Sequence, residues 1–165
     1  MRMQKVYLES SVISYLTARP SKDIKKLVKQ RITKDWWKRR SEYDLFISQT
    51  VVDEIGRGDA EAAFLRLEAI LDIPRLPYLD IVGALVHAFL LSEAVPKDYA
   101  EDAFHIAIAA AHQMDGILTW NQKHIANPQK LDSINSIIYG FRLKPLLILT
   151  PEQLLEMESC DQETD

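Results

Sequence analysis

The chain predicts an α/β domain, a mainly parallel sheet of four to five strands with helices on both faces. Two patterns and one size argument carry this expectation. Short apolar runs of strand length recur at residues 5–8, 45–48, 117–119 and 146–149, with a weaker one at 73–76. Between them lie longer stretches whose apolar residues repeat at helical spacing, and strands alternating with helices imply crossover connections and parallel pairing. The chain has 165 residues, 47% of them hydrophobic, enough for one core.

In order, residues 5–8 (KVYL) form the first strand and end at Glu9. Ser10 and Ser11 offer an N-cap to a helix over residues 12–16. Pro20 and Ser21 break it, and Ser21 caps a longer helix carrying Ile24, Leu27, Val28, Ile32 and Trp36 on one face, with Trp36 and Trp37 as packing anchors. Residues 45–48 are the second strand. Thr50 caps a short helix with Asp53 as its reciprocal partner, which leaves Glu54 free, and Gly56 and Gly58 end that turn. Asp59 caps the next helix, with Ala63, Leu67 and Ile70 inward. Pro74 and Pro77 reduce residues 73–76 to an edge strand or an extended connection. Residues 79–91 are helical.

Residues 98–121, DYAEDAFHIAIAAAHQMDGILTWN, join packing to chemistry. Asp98 caps a helix with Glu101 as its partner. Ala103, Ile106, Ala107 and Ala110 make one side small and apolar, and Asp102 lies in the first turn beside that stripe. Asp115 and Gly116 close the helix, residues 117–119 are a strand, and Trp120 and Asn121 leave its carboxyl end, the edge at which open parallel sheets bind ligands. One turn follows, then a helix over residues 131–141 with Ile134, Ile137, Ile138 and Phe141 inward, and a last buried strand at 146–149. Thr150, Pro151 and Gln153 spell a helix start: cap, proline at the first position, glutamine at the third. Residues 1–157 are read as one domain and residues 158–165 as a polar, frayed tail.

Composition narrows the function. The single cysteine, Cys160, excludes an internal disulfide framework and fits a reducing, cytoplasmic setting. The N-terminus lacks an apolar signal region, and no stretch has the apolar length of a membrane span. The formal charge is −4, yet residues 22–40 hold nine Lys/Arg and two Asp, which leaves −11 for the rest. That run is either a solvated helix face or a basic arm beside an acidic site.

Glycine-rich phosphate loops are absent after the first strand, and no nucleophile elbow is present. Zinc fails for want of ligands: His105 and His112 share a helix face without a cysteine or third partner at metal spacing, and both read as core or surface histidines. Acids placed where strands end remain. Glu9 ends the first strand, Glu54 follows the second in the first turn of its helix, Asp102 opens the helix before residues 117–119, and Asn121 follows that strand. Carboxylates converging on one edge raise one another's pKa unless a cation joins them, and an oxygen-only set suits Mg²⁺ or Mn²⁺.

The segments VYLESSVIS, VVDEIGRGD, DAFHIAIAAAH and LTWNQKHI together resemble the PIN domain, above all the bacterial members that act as toxins of VapBC-type toxin–antitoxin pairs. The resemblance runs over nearly the whole chain in order and spacing. It implies a three-layer α/β/α sandwich and a metal-dependent endoribonuclease, with Glu9, Glu54 and Asp102 at the three acidic positions, Ser11 at the adjacent hydroxyl position and Asn121 at the fourth polar one. Two positions depart from the pattern: Glu9 stands where the family usually has Asp, and Asn121 is neutral where the family often has Asp. On this reading Glu9 and Asp102 bind Mg²⁺ or Mn²⁺ directly, Glu54 binds through water or orients the attacking water, and Ser11 and Asn121 bond metal waters or phosphate. Lys34, Lys38, Arg39 and Lys123 hold RNA phosphates. The expected partners are RNA, a small antitoxin protein and a second copy of the chain. The alternative is a catalytically silent PIN-like domain that binds nucleic acid or a protein.

Overall fold

The computed structural model describes residues 3–162. Four strands, β1 (Lys5–Leu8), β2 (Asp44–Phe46), β3 (Gly116–Leu118) and β4 (Leu147–Leu149), form one all-parallel sheet in the order β2-β1-β3-β4. Val6 lies opposite Leu45 on one side and Gly116 on the other, and Leu118 pairs with Leu149. The helices are α1 (Ser10–Thr17), α2 (Ile24–Trp37), α3 (Gln49–Ile55), α4 (Ala60–Ala69), α5 (Asp80–Leu91), α6 (Ala100–Ala111), α7 (Pro128–Gly140) and α8 (Pro151–Gln162). The molecule is a three-layer α/β/α sandwich. Among the helices, α5 packs on α6 and α7, α1 packs on α2, α3 and α4, and α2 packs on α8. Val6, Tyr7, Leu8, Ile117 and Leu118 are wholly buried between the layers. Among the described residues no helix is long and apolar enough to cross a membrane.

The order of strands fixes where a ligand can enter. The chain leaves β1 toward β2 on one side and returns to β3 on the other, so the carboxyl ends of β1 and β3 border the crevice where the winding reverses.

Local differences from the sequence expectation have specific causes. Residues 73–76 take the second of the two expected forms, an extended connection beside β2 held by one parallel bridge between Ile47 and Arg75. Pro74 accepts there through its carbonyl, from Ile47 N–H at 3.1 Å, and has no N–H to continue a ladder. Four caps move. Glu9, not Ser10 or Ser11, caps α1; Asp23, not Ser21, caps α2 by accepting from Lys25 and Lys26 N–H at 2.9 and 3.2 Å; Ser48, not Thr50, caps α3. At α6 the cap position is Tyr99 and no side chain bonds it, so the Asp98–Glu101 box does not form and Glu101 pairs with Arg57 instead. The Thr150–Gln153 box does form, with reciprocal bonds of 2.9 and 3.2 Å.

α2 buries only the C-terminal part of the face its apolar residues suggest, Trp36 wholly and Ile32 in part, and adds a polar pair to it. Gln30, Thr33 and Trp36 are buried, while Ile24 is 76% and Val28 48% exposed. The polar pair is satisfied: Gln30 spans Ser21 N–H and the Arg19 carbonyl at 2.9 Å each, and Thr33 accepts from the Trp120 indole at 2.8 Å. α6 ends at Ala111 rather than at Asp115, with Gln113 in the left-handed region, and Gly116 belongs to β3. A Cβ at Gly116 would collide with Met3 Sδ and the Leu147 carbonyl, so the close approach of β4 requires glycine. α7 starts earlier than expected, capped by Asn127 ahead of Pro128. α8 continues past Met157 to Gln162, and Glu158 is held by Tyr43 and by Arg39. Residues 158–162 therefore belong to the helix, and residues 163–165 lie outside the described chain.

Candidate metal centre

Glu9 leaves β1 at the winding reversal and is 6% exposed. Its Oε2 accepts the Ser11 hydroxyl, the Ser11 N–H at 3.2 Å and the Thr119 hydroxyl at 2.6 Å. Thr119 follows β3, so two neighbouring strands place these groups face to face. Thr119 Oγ1 also accepts from Asn121 N–H at 2.9 Å, and Ser11 Oγ accepts from Trp120 N–H at 2.8 Å. Every donor to Glu9 is neutral. A carboxylate buried without a cation is costly.

Glu54 reaches the same place from α3. It lies in the last turn of that helix, not the first as the cap at Thr50 implied, because α3 begins at Gln49 and has only seven residues. Glu54 Oε2 accepts from the Ser10 hydroxyl, and Oε1 lies 2.8 Å from His105 Nε2. His105 Nδ1 is 2.6 Å from the Tyr7 hydroxyl, which is 2.7 Å from Ser48 Oγ. Ser48 is itself the cap of α3. A buried chain of hydrogen bonds thus starts at one end of α3, passes through β1 and α6, and returns to the other end at Glu54. Burial, opposed by the Ser48 bond and aided by the charges of Glu9 and Glu54, pushes the Tyr7 phenol far above its ordinary pKa, so it keeps its proton. Burial works against the charged form of His105, but the hydrogen bond and charge of Glu54 outweigh it and raise the imidazole pKa. Glu54 is the counterpart: burial opposes its charge, and the bond from His105, with help from Ser10 and Arg57, holds it below its usual value.

One donor atom each from Glu9, Glu54 and His105 lie within 4.8 Å of one another. Asp102 is not in this set. It opens α6 one turn before His105, and its Oδ2 lies 3.0 Å from His124 Nδ1. The Tyr99 ring covers His124, with centroids 3.7 Å apart. Asn121 Oδ1 accepts from His124 N–H at 3.1 Å, so its amide oxygen closes the turn after β3. The Ser11 hydroxyl is engaged by Glu9 and Trp120 N–H, which makes it an internal brace.

The basic residues divide. Lys34 and Lys123 are exposed and form no ion pair among the described residues. Lys38 pairs with Asp35 at 2.7 Å on the surface. Arg39 is bound by Glu42 at 3.0 Å and Glu158 at 2.9 Å, so it ties the segment after α2 to α8. Lys29 lies over the Trp120 ring at 5.3 Å from its centroid, close to the end of β3.

His105 is the residue whose part sequence reasoning missed. The sequence left it as a core or surface histidine, and its position three residues after Asp102 put it on the same helical face. Nothing in the sequence tied it to Glu54. Tyr7, Ser48, Thr119 and His124 were missed for the same reason: each meets its partner across separate elements. No protein-family model matches the chain, and no curated protein does.

Proposed function

We propose that the chain is a divalent-metal-dependent endoribonuclease of PIN type and the toxin half of a toxin–antitoxin pair. One observation carries the reading: buried Glu9 and half-buried Glu54 meet at the carboxyl edge where the sheet reverses, and no cation pairs with Glu9 among the described residues. That donor set fits Mg²⁺ or Mn²⁺, with Glu9 and Glu54 as holding groups and Asp102 close by on α6. A bound ion would supply an activated water and offset charge on the phosphate. The protein's own groups then have defined roles. Ser11 and Thr119 aim the Glu9 carboxylate, His105 and Ser10 aim that of Glu54, and His124 holds Asp102. Lys34 and Lys123 are open to RNA phosphates, which position a substrate without reading its sequence.

The partner reading draws support from exposed apolar residues on two helices that both pack on α1: Ile24 and Val28 on α2, and Phe64 and Leu65 on α4. The same residues favour a second reading, a silent PIN-like domain that acts by binding a protein. Incubation of the purified chain with single-stranded RNA and Mg²⁺ or Mn²⁺ separates the two. Internal cleavage that needs the ion and is lost in Glu9→Gln supports the nuclease; metal-independent cleavage, or none with either ion, removes it.

A further inference from the structure

Resting on that reading of a metal site, we propose that the ion is held by a mixed set of two carboxylates and one imidazole, Glu9, Glu54 and His105 Nε2, and that the nitrogen makes the site rank Mn²⁺ above Mg²⁺. This differs from the oxygen-only set that the acids alone suggest.

The geometry leads there in three steps. The donor atoms of Glu9, Glu54 and His105 are already gathered within 4.8 Å. In an octahedral shell at about 2.1 Å, adjacent ligands lie about 3.0 Å apart and opposite ones about 4.2 Å, so side-chain movement on the order of an ångström brings the three donors onto one ion. Next, the far nitrogen of His105 is anchored. Nδ1 faces the Tyr7 hydroxyl, and Tyr7 faces Ser48, so Nδ1–H can donate to Tyr7 while the Tyr7 O–H donates to Ser48. Metal-bound histidines carry such an outer partner, which fixes the tautomer and leaves the other lone pair for the metal. Finally, the residue expected as the third oxygen ligand is engaged elsewhere, since Asp102 Oδ2 faces His124. Glu9, 6% exposed, keeps Oε1 without a hydrogen-bond partner among the described residues.

Loading the site is a proton exchange. The proton shared by Nε2 and Glu54 Oε1 leaves to solvent, the N–H bond breaks and a nitrogen–metal bond forms in its place. Mg²⁺ is hard and reluctant to shed water for nitrogen. Mn²⁺ accepts carboxylate oxygen and, as a first-row transition ion, binds imidazole as well.

Mn²⁺ titrated into the unsubstituted chain and read by pulsed electron paramagnetic resonance should show coupling to one ¹⁴N nucleus. The coupling should persist in His124→Gln and vanish in His105→Gln. Competition between Mn²⁺ and Mg²⁺, followed by calorimetry, should show the Mn²⁺ preference falling by about tenfold or more in His105→Gln, since even outer partners of metal ligands cost 10–100-fold. Bound Mn²⁺ without ¹⁴N coupling in the unsubstituted chain would overturn the imidazole ligand and leave an oxygen-only nuclease site standing. Coupling that disappears in His124→Gln overturns it too, by moving the nitrogen to the other histidine. Failure of both ions to bind overturns the metal site itself. The measurements on the unsubstituted chain and on His124→Gln decide the matter even where His105→Gln does not fold.

Discussion

His105 Nε2 lies 2.8 Å from Glu54 Oε1, and that contact ties the middle of α6 to the last turn of α3 across the edge of the sheet. It also links stability to pH. The imidazole pKa is raised in the folded chain, so its contribution is complete below about pH 6.5 and lost as pH rises through the raised value. The Glu54 pKa is lowered, so its contribution is complete above about pH 4.3 and lost as pH falls through the lowered value. The pair is at full strength between those limits. In metal-free buffer, Glu54→Gln should therefore cost about 1–3 kcal/mol near pH 6 and clearly less near pH 9. Urea unfolding at both pH values measures this. An equal loss at the two would show that the charge on His105 does not change between them.

The next link in the same chain is testable by removing a single oxygen. Tyr7→Phe keeps the ring in its wholly buried place and leaves His105 Nδ1 without its partner. A buried polar atom stranded in this way costs about 1–3 kcal/mol. Loss of the outer bond should also weaken Mn²⁺ binding by roughly 10–100-fold. Calorimetric unfolding and metal titration of the same sample read both effects. A variant as stable as its parent, with the same metal affinity, would make the hydroxyl chain incidental.

The basic run separates into structural and open residues, and the two kinds should respond differently. Arg39→Gln removes the tie between the segment after α2 and α8, and its effect should be on unfolding. Lys34→Gln and Lys123→Gln touch no ion pair among the described residues and should leave stability within about 0.5 kcal/mol. Their effect should fall on RNA binding, with the slope of log affinity against log salt shrinking by about 0.7 for each single-strand phosphate no longer neutralised. Binding isotherms at several salt concentrations check this. Unchanged slopes in the double variant would return both lysines to a solvated face.

These predictions rest unequally on what the sequence discloses. Strand positions were legible because apolar runs such as KVYL and LIL have few other uses, and parallel order followed from the helices between them. Glu9 and Asp102 were legible as acids at element ends. Caps were not: a serine or threonine near a helix start proposes itself at several adjacent positions, and strand length decided between Ser48 and Thr50. Part of the inward face of α2 was hidden because its contacts are polar, Thr33 to Trp120 and Gln30 to the Arg19 loop, and an apolar stripe does not record them. The partners of Glu54 and Asp102 were hidden more deeply. His105 is 51 residues from Glu54, and His124 is 22 from Asp102, and only the winding of the sheet brings each pair together.

Asn121 shows how such a hidden partner changes an expectation. Placed by its position after β3, it reads as a fourth metal-site group, and Asn121→Asp would then add a carboxylate to the ion's surroundings. In the fold its amide oxygen is already engaged, accepting from His124 N–H at 3.1 Å, while the Asn121 carbonyl accepts from Ala126 N–H at 2.8 Å. A carboxylate oxygen can accept the same N–H, because Asp and Asn serve such turns alike. Asn121→Asp should therefore leave stability within a few tenths of a kcal/mol, as an ordinary surface change does. Asn121→Ala, which deletes the acceptor, should cost about 1 kcal/mol, the value of a deleted side-chain cap. Mn²⁺ affinity and stoichiometry should be the same in Asn121→Asp as in the parent, since the side-chain oxygen of residue 121 is engaged by the His124 N–H. Unfolding of the two variants and calorimetric titration of Mn²⁺ into Asn121→Asp test the assignment together. Tighter binding or a second ion in Asn121→Asp would place residue 121 at the metal after all, and would make the bond to His124 one that the ion displaces.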